Sequence, residues 1–182
     1  MNVTKPRDAL LDRAVGYFSA HGVGDTSLRT LAAGIDTSHR MLIYHFGSRE
    51  GLLAAIVERT WDVQQSRLGE LMSAGGDPYA GALRFWSQLA DDRAFAPLFF
   101  EMSAAAMQGR AWAAPLRELS SAWAVRLTSF FVEAGHPPER AAVLGRTAVA
   151  LVRGVLFELA LGGDRATADA TIAAFLDSAR RD

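Results

Sequence analysis

The apolar positions of this chain recur at helical spacing almost from end to end. In "RDALLDRAVGYFSAHG", Leu11, Ala14, Val15 and Phe18 fall at i, i+3, i+4 and i+7, one apolar face that Gly22 ends. "DTSLRTLAAGID" opens on a Thr26/Ser27 cap and predicts about two helical turns. "TSHRMLIYHFG" opens on Thr37/Ser38 and stops at Gly47. Ser48 caps a longer helix that runs to the Gly75-Gly76 pair. Pro78 starts the next, through about Ala90, followed by a helix from about Ala94 to Gln108. Trp112 to Ala134 carries Pro115 in its first turn, where proline is tolerated. After "GHPP" a long apolar helix spans Glu139 to Leu161, then "GGDRA" forms a loop and Thr167 to Arg180 the last helix. Alternating β-branched runs are absent. The pattern predicts an all-α protein of about nine helices.

Three short helices followed by a longer one is the layout of a helix-turn-helix module, in which the third helix enters the DNA major groove. The turn is "AGIDTS", with Asp36 at its tight position; aspartate tolerates the left-handed conformation better than most residues. Leu28, Leu31 and Ala32 on one helix and Leu42 and Phe46 on the next form the apolar wedge between them. The opposite face presents Ser38, His39, Arg40, Met41 and Tyr44, and its polar members can donate to phosphates and base edges.

These residues carry a resemblance. Arg7 to Glu58, through "LLDRAVGYFSAHGVGDTSLRTLA" and then "SHRMLIYHFGSREGLL", resembles the DNA-binding domain of the TetR family of one-component transcriptional repressors, without gaps. The resemblance implies an all-helical homodimer. Residues 1–47 would form the helix-turn-helix domain on a palindromic DNA operator. Residues 48–182 would form the helical domain for dimerisation and for a small, largely apolar effector that releases the DNA. It also implies individual roles. Ser27 and Arg29 open the second helix at phosphate- and base-contacting positions. Ser38, His39, Arg40 and Met41 match the operator-reading part of the third helix, and His45 matches a histidine at its end. Arg49 matches a basic residue set against phosphate. Two positions depart from the pattern. Ile43 stands where many members have a phosphate-binding tyrosine, which the adjacent Tyr44 would replace. Asp36 stands where glycine is frequent.

Composition narrows the alternatives. The 182 residues carry a formal net charge of -1. Within the first fifty, Lys5, Arg7, Arg13, Arg29, Arg40 and Arg49 oppose Asp8, Asp12, Asp25, Asp36 and Glu50, a balance of +1. Three of the four histidines (His21, His39, His45) also lie there. What matters is where these cations sit on the folded surface. The absence of cysteine excludes disulfides, thiolate metal sites and cysteine nucleophiles. The longest apolar stretch, "AAVLGRTAVALVRGVLFELALGG", is interrupted by Arg146, Arg153 and Glu158, so no membrane span is expected. With a charged N-terminal segment in place of an apolar leader, a cytoplasmic protein is expected. HExxH, a Glu-x-x-His di-iron pair, a nucleophile elbow and a phosphate-binding glycine loop are all missing, which argues against the rival reading of a helical-bundle enzyme. No cofactor or metal is expected. A third reading is a helix-turn-helix scaffold with a protein partner.

Beyond the first fifty residues the signals are compositional. Aromatic and methionine side chains concentrate between Trp61 and Phe157 and can line an adaptable apolar cavity. The candidates for effector binding are Trp61, Phe85, Trp86, Phe99, Glu101, Met102, Met107, Trp112, Trp123 and Phe157, with Glu101 as a selector of cationic or hydrogen-bonding groups. The helix from Glu139 to Leu161 is apolar nearly all round, so one side needs a partner. With the helix near 167–180 it would form half of a four-helix dimer interface. Ala141, Gly145, Ala150 and Gly154 permit close approach, and Arg146 and Arg153, seven apart, are placed to pair with Glu133, Glu139 or Glu158.

Overall fold

A computed structural model describes residues 6–73 and 76–181. Among the described residues lie nine α-helices and no strand: α1 (Pro6–His21), α2 (Leu28–Gly34), α3 (His39–Phe46), α4 (Arg49–Ser73), α5 (Pro78–Asp91), α6 (Phe95–Met107), α7 (Pro115–Glu133), α8 (Pro138–Ala160) and α9 (Arg165–Arg181). The expected stop of α4 at the Gly75-Gly76 pair falls partly outside the described residues, because Ala74 and Gly75 do.

The helix starts show why the sequence pattern works and where it slips. Ser27 and Ser38, the second residue of each Thr-Ser pair, are the caps. Each accepts from the backbone N–H three residues on, Thr30 and Met41 respectively, at 3.1 Å. Ser48 accepts from the Gly51 N–H at 3.0 Å, and Asp77 from the Tyr79 N–H at 3.0 Å. Trp112 does not open α7. It lies in a 3-10 turn, Ala111–Ala113, and Pro115 is the first residue of the helix. In turn, α9 starts at Arg165, two residues before the expected Thr167. Asp164 is the reason: its Oδ2 accepts from both the N–H (2.8 Å) and the hydroxyl (2.7 Å) of Thr167. An aspartate read as part of a loop is therefore a cap.

The described residues form two compact units that do not follow chain order. The first comprises the chain through Gln64 together with Pro97–Arg117. The second comprises Gln65–Ala96 and the chain from Glu118 onward. A boundary at residues 47/48, expected from the sequence, falls inside the first unit, and α4 contributes residues to both.

In the first unit the core is built from Leu10, Leu11, Ala14 and Phe18 of α1, Leu28, Leu31 and Ala32 of α2, Leu42 and Phe46 of α3, and Leu52, Leu53 and Ile56 of α4, all buried. Two glycines set how closely these helices pack. A Cβ at Gly34 would lie 2.4 Å from the Tyr17 ring, which is stacked on His21. At Gly51 it would lie 2.2 Å from the Phe46 carbonyl, so α4 can follow α3 this tightly only with glycine in its first turn.

In the second unit α9 packs against both α8 and α5. Phe85, Trp86, Phe130, Phe131, Leu144, Leu156, Ile172 and Leu176 are buried there. Helices α7 and α8 meet at backbone distance: a Cβ at Gly145 would lie 2.7 Å from both the N and the Oγ1 of Thr128. The small residues of α8 thus divide. Ala141 and Gly145 are buried, while Ala150 and Gly154 are exposed. The α5–α9 edge is tied by polar groups. The Trp86 indole donates to Asp169 at 2.7 Å, and Arg165 bridges Asp169 (2.8 Å) and Asp91 (2.6 Å). The hydrogen bond from Arg165 holds the Asp169 carboxyl below the usual carboxylate range.

Candidate nucleic-acid interface

The turn between α2 and α3 depends on one residue's backbone. Asp36 has φ 50, and it is the only non-glycine with positive φ among the described residues. The left-handed conformation costs an ordinary residue roughly 1–2 kcal/mol, less for Asp, whose short polar side chain bonds locally. Something must hold it, and Arg13 of α1 does. Its Nη1 donates to the Ile35 carbonyl at 2.8 Å and to that of Asp36 at 3.4 Å. The Thr37 N–H returns to the Ala32 carbonyl at 3.0 Å. The sequence singled out Asp36 but not Arg13, because nothing local marks an arginine whose partners lie 22 and 23 residues away.

With the turn fixed, α3 presents a defined face. Leu42 is fully buried and Phe46 nearly so, one turn apart, and they anchor the helix. On the other side Ser38, His39 and Arg40 are exposed, as are Met41 (41 %) and Tyr44 (78 %). Ile43 is exposed at 39 %, beside the far more prominent Tyr44. His45 is half-buried, edge-on to Tyr44 with ring centres 4.9 Å apart. On α2, Ser27, Arg29 and Thr30 are exposed, and the Ser27 and Thr30 hydroxyls are 2.9 Å apart. The Arg7 guanidinium sits 5.1 Å from the centre of the Phe46 ring, adding a cation at the far end of α3.

Arg49 and Glu101 are placed differently from what the sequence suggests. The half-buried Arg49 donates from Nε to the Thr26 carbonyl (2.8 Å), and from Nη2 to those of Gly24 (2.5 Å) and Val23 (3.5 Å). Glu101 of α6 accepts the Val23 N–H on Oε2 and the Gly24 N–H on Oε1, both at 2.7 Å. The α1–α2 loop is therefore held by a guanidinium on its carbonyls and a carboxylate on its amides. Charge-assisted bonds of this kind are about twice as strong as neutral ones.

The other effector candidates fall in both units. Trp61, Phe99, Met102 and Trp112 lie in the first unit with Glu101, and Met102 is buried. Met107, also there, is 81 % exposed, and Phe157 in the second unit is 50 % exposed. Phe85, Trp86 and Trp123 come together in the second unit. With Leu68, Phe130, Phe131 and Phe175, among others, they enclose an apolar cavity of about 60 Å³. Ligand cavities typically measure about 300–1,000 Å³, so this one must open to admit a ligand.

A buried-anchor recognition helix behind a left-handed turn defines the helix-turn-helix class of DNA-binding proteins. Residues 10–56 match the family model for bacterial regulatory proteins, tetR family. The stretch that holds the helix-turn-helix is therefore similar to bacterial regulatory proteins of the tetR family. Solved structures share the fold over the whole length of the chain. A TetR transcriptional regulator from Legionella pneumophila is 19% identical over 98% of both chains, with a TM-score of 0.80. GusR from Salmonella enterica is 21% identical over 100% of both, with a TM-score of 0.78. A transcriptional regulator from Rhodococcus sp. Rha1 is 21% identical over 97% of this chain and 98% of its own, with a TM-score of 0.75. At these identities the likeness is one of fold. A search of curated protein sequences finds no match. Among the described residues no helix is long and apolar enough to cross a membrane.

Proposed function

We propose that this protein is a TetR-type transcriptional repressor that grips a palindromic operator as a dimer and releases it when a small effector binds. The observation that carries the reading is the outward face of α3, where Ser38, His39, Arg40, Met41 and Tyr44 stand exposed over the buried Leu42 and Phe46. Arg40 and His39 reach base edges, an arginine fork being suited to guanine. The hydroxyls of Ser27, Ser38 and Tyr44 and the guanidinium of Arg29 bind phosphate and set the register. Arg49 takes part through the loop it holds as well as through its charge.

Dimerisation is supported by the exposed side of α8. Val143, Thr147, Ala150, Gly154, Phe157 and Leu161 are all exposed and follow one another by alternate steps of four and three residues, the spacing of a helix-packing seam. Large apolar groups stand at its ends and small ones at its middle, so a second copy can cross closely there with the help of α9. Two recognition helices would then read half-sites roughly 34–36 Å apart. The aromatic interior of the second unit supplies apolar surface for the effector. By reciprocity, operator DNA weakens effector binding by the factor with which effector weakens DNA binding.

The test is fluorescence anisotropy with the gene's own upstream DNA, with sedimentation to establish the dimer. Sequence-selective, salt-sensitive binding by a dimer is expected. Binding that ignores sequence, or a monomer at working concentration, would sink the proposal.

A further inference from the structure

The two arginines of α8 that sequence spacing put on one face do not project alone. With α7 they line a cleft of about 470 Å³ in the second unit, formed by Ser120, Ser121, Ala124, Val125, Thr128 and Ser129 of α7 and Ala142, Arg146, Val149 and Arg153 of α8. Two guanidinium groups and four hydroxyls share it, and no carboxylate is among the lining residues. Arg153 is half-buried and donates to the Ser120 hydroxyl at 2.5 Å. Burial pulls its pKa below the usual guanidinium value, the signature of a cation deprived of water. Arg146 stands one full heptad earlier at the exposed mouth. Ala124, Val125, Ala142 and Val149 supply an apolar wall. The opposite faces of the same two helices, through Trp123, Leu127, Phe130, Ala148 and Val152, line the aromatic cavity, so the cleft is a separate place.

We propose that this cleft binds a small amphipathic organic anion, a carboxylate with an apolar body. The carboxylate lies against Arg153 and Arg146, whose planar forks match its two oxygens. The Ser120 hydroxyl, which accepts from Arg153, donates its own proton to the carboxylate, and the apolar body covers Val125, Ala142 and Val149. A volume of about 470 Å³ falls in the range of ligand sites, unlike the aromatic cavity. The row Ala142, Arg146, Val149, Arg153 is one residue, about 100° of helix, from the seam beginning at Val143. A ligand drawing α7 and α8 together therefore acts beside the proposed dimer contact. Its role as effector rests on the repressor reading; the binding itself does not.

The probes are 4-phenylbutyrate and its neutral amide, titrated calorimetrically into the full-length protein. The acid is expected to bind at least about tenfold more tightly than the amide, the worth of one charge-assisted hydrogen bond. Arg153→Gln should lose about tenfold or more, and Arg153→Lys should keep part of the affinity. Arg146→Gln, at an exposed position that leaves the core intact, should lose several-fold and reduce the salt dependence. Equal binding of acid and amide, no binding of either at about 10 mM, or unchanged affinity in both glutamine variants would overturn the site. Operator binding is measured separately. Tight acid binding with unaltered DNA affinity supports the site and removes its effector role. Intact DNA binding without acid binding removes the site and leaves the repressor reading standing.

Discussion

The outward face of α3 and the cleft between α7 and α8 are both arginine-and-hydroxyl surfaces, but they are assembled in different ways. On α3 every outward group comes from one continuous stretch, the cap Ser38 and the helix His39–Phe46, and its anchors, Leu42 and Phe46, lie in the same stretch. In the cleft the hydroxyls come from α7 and the guanidinium groups from α8, and the two rows meet only because Gly145 lets α8 approach the backbone of Thr128. A surface built on one helix is written in local spacing. A surface built between two helices is written in the packing, and it fails when the packing fails.

That contrast can be broken from either side. The largest effect is expected from Leu42→Ala. It empties a fully buried position beneath the recognition face, at a cost of roughly 2–5 kcal/mol. Thermal or denaturant unfolding should show the loss, and DNA affinity should fall although Leu42 faces away from the groove. Gly145→Ala places a methyl 2.7 Å from backbone and side-chain atoms of Thr128, and overpacking of this kind costs about 1–3 kcal/mol. It should spread α7 from α8 and weaken acid binding in the cleft while leaving the affinity for non-specific DNA unchanged. Arg40→Ala should leave the unfolding midpoint in place and lose about 1–3 kcal/mol of operator affinity, with specificity relaxed at one base pair. Equal losses on operator and random DNA would instead mark Arg40 as a phosphate contact. The smallest effect is expected from Glu101→Gln, which keeps the shape but removes the charge on the Val23 and Gly24 amides. A loss of about 1–2 kcal/mol is expected. Faster amide exchange at Val23 and Gly24 would register it, and unchanged exchange would show that the carboxylate is dispensable.

The helices were legible because their starts and stops are chemical and local. Ser27, Ser38 and Ser48 cap where the pattern put them, and Asp36 takes the left-handed turn. The misread ends have the same origin. Asp164 caps α9 from within a segment whose glycines suggested a loop. What could not be read depends on partners far along the chain. Arg13 reaches the α2–α3 turn, Arg49 turns onto loop carbonyls, and Glu101, expected to face an effector, instead receives two amides. The aromatic residues of the second half supplied no geometry from sequence alone. A row of Trp and Phe at helical spacing looks the same whether it fills a core or lines a cavity, and here Phe85, Trp86 and Trp123 do both around a small void.

The grip of Glu101 on the α1–α2 loop also has a consequence for synthesis. The carboxylate lies 78 residues after Val23 and 77 after Gly24. A nascent chain that has released α1, α2, α3 and the start of α4 from the ribosome already holds the whole recognition helix, yet of the two charged anchors among the described residues only Arg49 is present until α6 emerges. At about 5–20 residues per second this interval lasts several seconds, far longer than the microseconds in which helices form. The DNA-reading module therefore matures late. It completes its loop only once α6 has been made.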